Sequence, residues 1–332
     1  MKTLTVFTPT YNRKHTLTRT FESLCCQTSM DFNWLIIDDG STDGTKEWVE
    51  SLGEKITSEG VCFDWMGRPL LDSDRNHFFV LANNTLGDHC FRIEYVYKPN
   101  GGLYSGYNAA YSIIQTELCV CIDSDDYMPE DAVDKILRLW REKGSDYYCG
   151  IEGLDFDIRT KQPIGGYFPK NLESVYLNDL RLNKIHTGDT KQVMKTMLMK
   201  QVAPMEGFFG EKNFNPIYML IQVCDKYPLL VLNDNICIVE YQVGSDSMSQ
   251  GIFKQYLNSP NSFAKLRLLE MTLQRNTLKD KFRSAIHYVS SCIIARDKQW
   301  FRRSTNKVLT FFACPFGFML YFYIKYKANQ KS

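Results

Sequence analysis

Residues 120–131, VCIDSDDYMPED, hold five acids: Asp123, Asp125, Asp126, Glu130 and Asp131. They follow an apolar run, 118–122, that reads as a buried strand. One acid at a strand end is ordinary. An Asp-x-Asp pair at the mouth of a sheet is a hard-oxygen donor set. It can hold Mn2+ or Mg2+ through one or two carboxylates while an anionic substrate completes the shell. Helix capping ahead of Pro129 accounts for Asp126 but leaves Asp123 and Asp125 without a role.

A second acidic turn, DDGSTDG at 38–44, follows the apolar run 34–37. Its composition is that of a simple turn. Its position is more informative. Residues 3–8 read as a strand, and Leu17, Phe21, Leu24 and Cys25 recur at helical spacing. A strand at 34–37, a helix at 45–52, a strand at 91–97, a Gly-opened helix and the strand at 118–122 continue the alternation. This rhythm predicts an α/β fold with a mostly parallel central sheet flanked by helices. In such a sheet, ligands gather beyond the carboxyl ends of the strands. Residues 8–12, 38–42 and 123–126 all fall there. Residues 57–90 break the rhythm and read as an insertion, with a hairpin around Phe78. In the second half, helices are expected at 189–201 and 217–225. Strands are expected at 229–232 and 236–241, around an Asn-Asp-Asn turn.

The chain has 332 residues, with 39 basic and 38 acidic side chains, a balance that speaks against a nucleic-acid partner. Eleven cysteines, an odd number, include no C-x-x-C pair, and several sit within apolar runs. Small hydrophobes of this kind suit a reducing compartment rather than a disulfide framework. The first residues enter an apolar strand without a basic leader, so the expected location is the cytoplasm. The charge is uneven at the far end. After Asp297 there is no acid, yet Lys298, Arg302, Arg303, Lys307, Lys325, Lys327 and Lys331 follow. Within that tail, 308–324 is a run of 17 uncharged residues containing Pro315 and Gly317. It is short of the ~20 residues of a spanning helix. The expectation is a helical C-terminal region, 246–332, that lies peripherally on an anionic inner membrane face.

Four segments in order, TVFTPTYNR, LIIDDGSTDGT, YVYKPNGGLYSGYNAA and CIDSDD, resemble the N-terminal half of glycosyltransferase family 2. Later segments, HTGDT, FFGEKNFNP and LLVLNDNICIVEYQ, are similar to the acceptor half of bacterial members that build surface polysaccharides. The resemblance implies a GT-A fold over 1–245, with a nucleotide-sugar half, 1–128, and an acceptor half, 129–245. It also implies roles. Thr8, Pro9, Tyr11 and Asp39 would bind the base. Lys98, Asn100, Gly101 and Gly102 would lie by the sugar nucleotide. Asp123 and Ser124 would meet the ribose or the metal shell, and Asp125 would be the metal ligand. An inverting transfer from a nucleotide-diphosphate sugar, a UDP-sugar in the first instance, would need a carboxylate base. Glu211 is preferred, Glu206 is second, and Asp189 would shape the acceptor site. No Glu-Asp pair occurs in that region. The acceptor would be a glycan or lipid-linked oligosaccharide of a capsule, exopolysaccharide or O-antigen.

Two rivals follow from the same residues. A sugar-nucleotide nucleotidyltransferase would need a Gly-rich loop after the first strand, where this chain reads TPTYNRKH. A membrane-peripheral scaffold that had lost its base would leave both glutamates away from the acid turn.

Overall fold

The computed structural model describes residues 2–56, 62–70, 77–85, 90–240 and 251–330. The first alternation builds β1 (Leu4–Thr10), α1 (Lys14–Cys25), β2 (Phe32–Asp38) and α2 (Thr45–Glu50). Three short strands follow: β3 (Glu54–Ile56), β4 (Cys62–Phe63) and β5 (Pro69–Leu70). Then come β6 (His77–Asn83), β7 (Cys90–Tyr97), α3 (Leu103–Ile113), β8 (Leu118–Cys121) and α4 (Ala132–Lys143). The second half contributes β9 (Gly150–Asp157), β10 (Ser174–Val175), α5 (Leu177–Leu182), β11 (Thr190–Lys195), α6 (Thr196–Val202), α7 (Ile217–Cys224) and β12 (Leu229–Val239). Helices α8 (Ile252–Asn258), α9 (Pro260–Glu270), α10 (Leu278–Ile294), α11 (Trp300–Arg303) and α12 (Lys307–Gln330) complete the described chain.

Ten strands form one sheet in the order β10-β12-β9-β11-β8-β1-β2-β7-β6-β3. Its centre is the parallel set β7-β2-β1-β8. These strands are near-continuous apolar runs because helices cover both faces. Leu4, Val6, Trp34, Ile36, Val120 and Ile136 are fully buried, each contributing ~1.5–3 kcal/mol by leaving water. The order reverses between β1 and β8, which makes their carboxyl ends the switch point of the sheet. Antiparallel pairs flank this centre on both sides, β11 against β8 and β9, and β6 against β7.

Four expectations change. The segment 57–90 does not stand apart from the sheet. Its strand β6 pairs along its whole length with β7 and carries β3 on its other edge, while β4 and β5 form a separate two-stranded ribbon. Residues 57–61, 71–76 and 86–89 lie outside the described ones. The helix expected at 189–201 begins only at Thr196, and residues 190–195 are a strand held between β8 and β9. The two strands expected around Asn-Asp-Asn are one strand, β12, with register shifts at Leu232/Asn235 and Asn235/Cys237. The polar triplet is an irregularity within the strand rather than a turn; Tyr241 lies outside the described residues. Finally, β9 was not expected at all.

The chain divides into two compact units. One comprises Met1–Gly101, Ser105–Met205 and Met219–Tyr241, and the other Gly102–Tyr104, Glu206–Tyr218 and Gln242–Ser332. The second unit therefore takes a segment of the expected acceptor half along with the C-terminal helices. Within it, Thr277 starts α10 with a capping box, its hydroxyl and the Asp280 carboxylate each serving the other's backbone. Helix α12 runs through Pro315 without interruption and buries a stripe of small residues, Thr310, Ala313 and Gly317, with Ile324 and Ala328. A side chain at Gly317 would meet Val289 Cγ1 of α10 at 2.5 Å, so glycine sets how closely the two helices approach.

Candidate active site

The loops after β1 and β2 are tied together before any ligand enters. Asn12 sits in the left-handed region, φ 52°. Its side-chain oxygen accepts from the Thr42 backbone at 2.7 Å, and its own N–H donates to Ser41 Oγ at 2.9 Å. The buried Asp38 carboxylate accepts from Tyr95 Oη at 2.6 Å and from the Ser41 N–H at 2.7 Å. Burial pushes the Asp38 carboxyl above the usual carboxylate range, and these hydrogen bonds pull it part of the way back.

Several residues expected at the nucleotide also belong to this frame. Thr8 is fully buried, with its hydroxyl accepting from Trp34 Nε1 at 3.0 Å, and Pro9 is buried beside it. Lys98, also fully buried, ion-pairs with Asp39 and donates to Ser105 Oγ at 2.8 Å. Asp39 also accepts from the Gly101 N–H at 2.9 Å, and the Asn100 amide donates to the Asp39 carbonyl at 2.7 Å. Asp39 and Lys98 therefore hold two loops to each other. Any β-carbon at Gly101 would lie 1.6 Å from the Trp65 carbonyl oxygen, so only glycine fits there. Tyr11, by contrast, is 51% exposed, with its ring open to solvent.

The acid turn after β8 is closed by a hydrogen bond from Asp126 N–H to Asp123 O at 3.0 Å. Helix α1 grips it from behind: Arg19 donates to the Asp125 carbonyl at 2.6 Å and Thr20 Oγ1 to the Asp126 carbonyl at 2.8 Å. Ser124 lies in the turn between the two outer acids. Asp126 does not cap a helix. It turns inward into a cavity of about 300 Å³ that Asp123, Asp155, Asp189 and Lys191 also line. Lys191 Nζ lies 3.4 Å from Asp126, 3.9 Å from Asp123 and 4.0 Å from Asp155. Burial alone would lower the lysine, but the surrounding acids outweigh it and keep the ammonium charged. Burial pushes Asp126 up to about 7 against the pull of Lys191, with Asp123, Asp125 and Asp155 adding to the rise. It pushes Asp155 up to about 6 in the same way, with Asp189 and Asp123 adding. Asp155 Oδ1 is buried and has no hydrogen-bond partner among the described residues.

Three acids face one lysine, with Asp189 lining the same cavity, and two further conditions suit a divalent cation. Asp125 is pushed up by burial and by the charge of Asp123, a strain that a cation would relieve. Asp123 keeps half of its side chain exposed. Among the described residues no three metal-ligating side chains converge on one point. The carboxylates of Asp123 and Asp125 thus fit Mn2+ or Mg2+ in the mode where a bound diphosphate supplies the rest of the shell.

The second unit holds the other assigned residues. Glu211, the preferred base, is buried, and both of its oxygens are occupied. Oε1 accepts from the Asn261 backbone and side chain at 3.0 and 2.8 Å, and Oε2 from the Ser262 backbone and hydroxyl at 2.8 and 2.7 Å. Four donors fill a carboxylate. Glu211 anchors the start of α9 and would have to give up a partner to take a proton, which corrects its assignment. The Glu206 side chain is 84% exposed and pairs with Lys265 at 3.2 Å. Gly102 has φ 91°, and a β-carbon there would meet the Lys212 carbonyl oxygen at 2.3 Å. His186, in the first unit, bonds to Gly166 O at 2.9 Å and accepts from the Gly188 N–H at 3.2 Å, shaping the turn that presents Asp189.

Residues 5–69 and 81–190 match the profile of glycosyl transferase family 2. Chondroitin synthase of Pasteurella multocida is 29% identical over 135 residues, 41% of this chain and 10% of that protein. Glycosyltransferase GlyG of Streptococcus pneumoniae is 22% identical over 259 residues, 73% of this chain and 72% of that one. The structure of S. aureus TarS 1–349 in complex with UDP-GlcNAc superposes with TM-score 0.55 at 16% identity, covering 94% of this chain and 79% of that chain. The fold is GT-A. The interruption in the family match is narrower than expected, 70–80 rather than 57–90. With more than half of its residues matched, the chain belongs to glycosyl transferase family 2.

Proposed function

We propose that this family 2 glycosyltransferase moves a sugar from a nucleotide-diphosphate sugar to a hydroxyl of a glycan acceptor, with inversion at the anomeric carbon. The observation that carries the reading is the acid turn Asp123–Asp126 at the switch point, with Asp123 opening onto the cavity that Asp189 and Lys191 share. Tyr11 stacks on the base. S. aureus TarS, which has the same fold, binds UDP-GlcNAc and UDP, so a UDP-sugar is the first donor to test. Asp123 and Asp125 hold Mn2+ or Mg2+, which when bound neutralises negative charge on the diphosphate. Asp189 is the base: it is exposed, lines the cavity with Asp123, and raises its neighbour Asp155 by its charge. It takes the acceptor hydroxyl proton as that oxygen attacks the anomeric carbon and the bond to the diphosphate breaks. The synthases of chondroitin and hyaluronan among the relatives favour a growing polysaccharide as acceptor. A lipid-linked oligosaccharide of a bacterial capsule, exopolysaccharide or O-antigen is the form we assign.

Thermal stabilisation by UDP, GDP, CDP and dTDP, each with and without Mn2+, tests the donor site. A shift with one nucleotide that depends on Mn2+ and disappears in Asp125→Ala is expected. A folded protein that no nucleotide stabilises would reject the reading.

A further inference from the structure

Helix α12 is built with its side-chain sizes reversed. A helix packed on a water-soluble protein buries its large apolar residues and exposes polar ones. Here the buried stripe is mostly small, and Phe311, Phe312, Phe316, Phe318, Met319 and Phe322 are left 46–65% exposed. At ~100° per residue, the buried positions fall within an arc of roughly 60°, and the six large residues span roughly 160° on the opposite side. Lys307 and Lys325 project along one border of that apolar arc and Lys327 along the other. The lysines stand near the two ends of the helix, and around its axis they flank the apolar face, where their stems can carry the charge up to headgroups.

We infer that α12 is an in-plane anchor: its aromatic face sinks into the surface of an anionic lipid bilayer while its small-residue face stays docked on α10. By length and composition alone the helix, with 24 residues, is long and apolar enough to span. Its back face, however, is committed to protein, with Ala313 in a cluster with Ala285, Tyr288 and Cys292, and Gly317 against Val289. A span would strip that face or drag Lys279, Asp280, Lys281 and Arg283 of α10 into hydrocarbon. The charge pattern also separates lipid from a second copy of the chain. No acid follows Asp297, so two copies meeting by this face would set lysine rows against each other. Anionic headgroups neutralise those rows instead, and the acyl region covers the aromatic face.

Flotation of the full chain with vesicles of phosphatidylcholine, alone or mixed with phosphatidylglycerol, tests the anchor. The protein is expected to float with the mixed vesicles and only weakly with the neutral ones. Substituting Lys307, Lys325 and Lys327 by Gln lowers partitioning roughly five-fold per lysine at low salt. Phe312→Ser with Phe316→Ser lowers it on the order of ten-fold per residue at any salt. An unchanged circular dichroism spectrum shows that each variant is folded, and the lysine variant keeps the aromatic face whole if the phenylalanine variant misfolds. Three results overturn the inference: no flotation with either vesicle, retention in membranes after alkaline extraction, or a lipid-free dimer that the phenylalanine substitutions dissociate.

Discussion

Asp155 and Glu211 are both carboxylates sealed from water, and their surroundings differ in kind. Glu211 meets four donors and nothing is left over. Asp155 faces Lys191 at 4.0 Å, keeps one oxygen without a hydrogen-bond partner among the described residues and is pushed up to about 6. A saturated buried carboxylate holds structure together. An unsatisfied one beside a cavity stores electrostatic free energy that a ligand can release. The difference separates the acids of the candidate site from those of the scaffold.

The strongest test of that separation is Asp125→Ala. It is expected to lower kcat/KM by on the order of 10³ while leaving the melting temperature of the free protein unchanged. Asp189→Asn comes next, with kcat reduced ~10²-fold, little change in donor KM and normal stability. Glu211→Gln should behave the opposite way. Replacing one acceptor oxygen by an amide turns at least one hydrogen bond, from a backbone N–H, into a donor–donor clash, costing about 1–3 kcal/mol in denaturant unfolding. If Glu211→Gln abolished transfer with an unchanged melting temperature, the contrast would fail and the base would lie in the second unit. The smallest effect concerns titration away from the site. Burial, with Arg267 and Arg283, lowers His287 from 6.5 to about 4. Its neutral form is the folded one, so the stability it contributes is complete above pH 6.5 and declines as pH falls toward 4. His287→Gln should flatten that slope in pH-dependent unfolding without touching activity.

What the chain discloses in advance follows from how each strand is stabilised. Strands β1, β2, β7 and β8 are apolar on both faces, so their identity and the acid turns at their ends are legible residue by residue. Strand β9 reads GIEGLDFD, with two glycines and three acids in eight residues, and β11 reads TKQVMK. Neither has a local pattern of its own. Pairing with β8, β12 and each other makes them strands. Asp155 and Lys191 ride on exactly those two elements, which is why the inner half of the cavity could not be foreseen while Asp123 and Asp125 could. Thr8, Asp39 and Lys98 are marked by motif, and in the structure they are buried and tie the strand-end loops together, so a motif marks a place in the fold as well as a contact.

The two ends of the ten-stranded sheet are β3, of three residues, and β10, of two. A long bare edge would invite another chain to add a strand. Here the edge at β3 carries Glu54 and Lys55, the lysine pairing with Glu50 at 2.6 Å. A sheet this wide thus ends, among the described residues, in strands too short to template growth, and at β3 also charged. Crowded ribosomal synthesis is a condition in which that restraint matters.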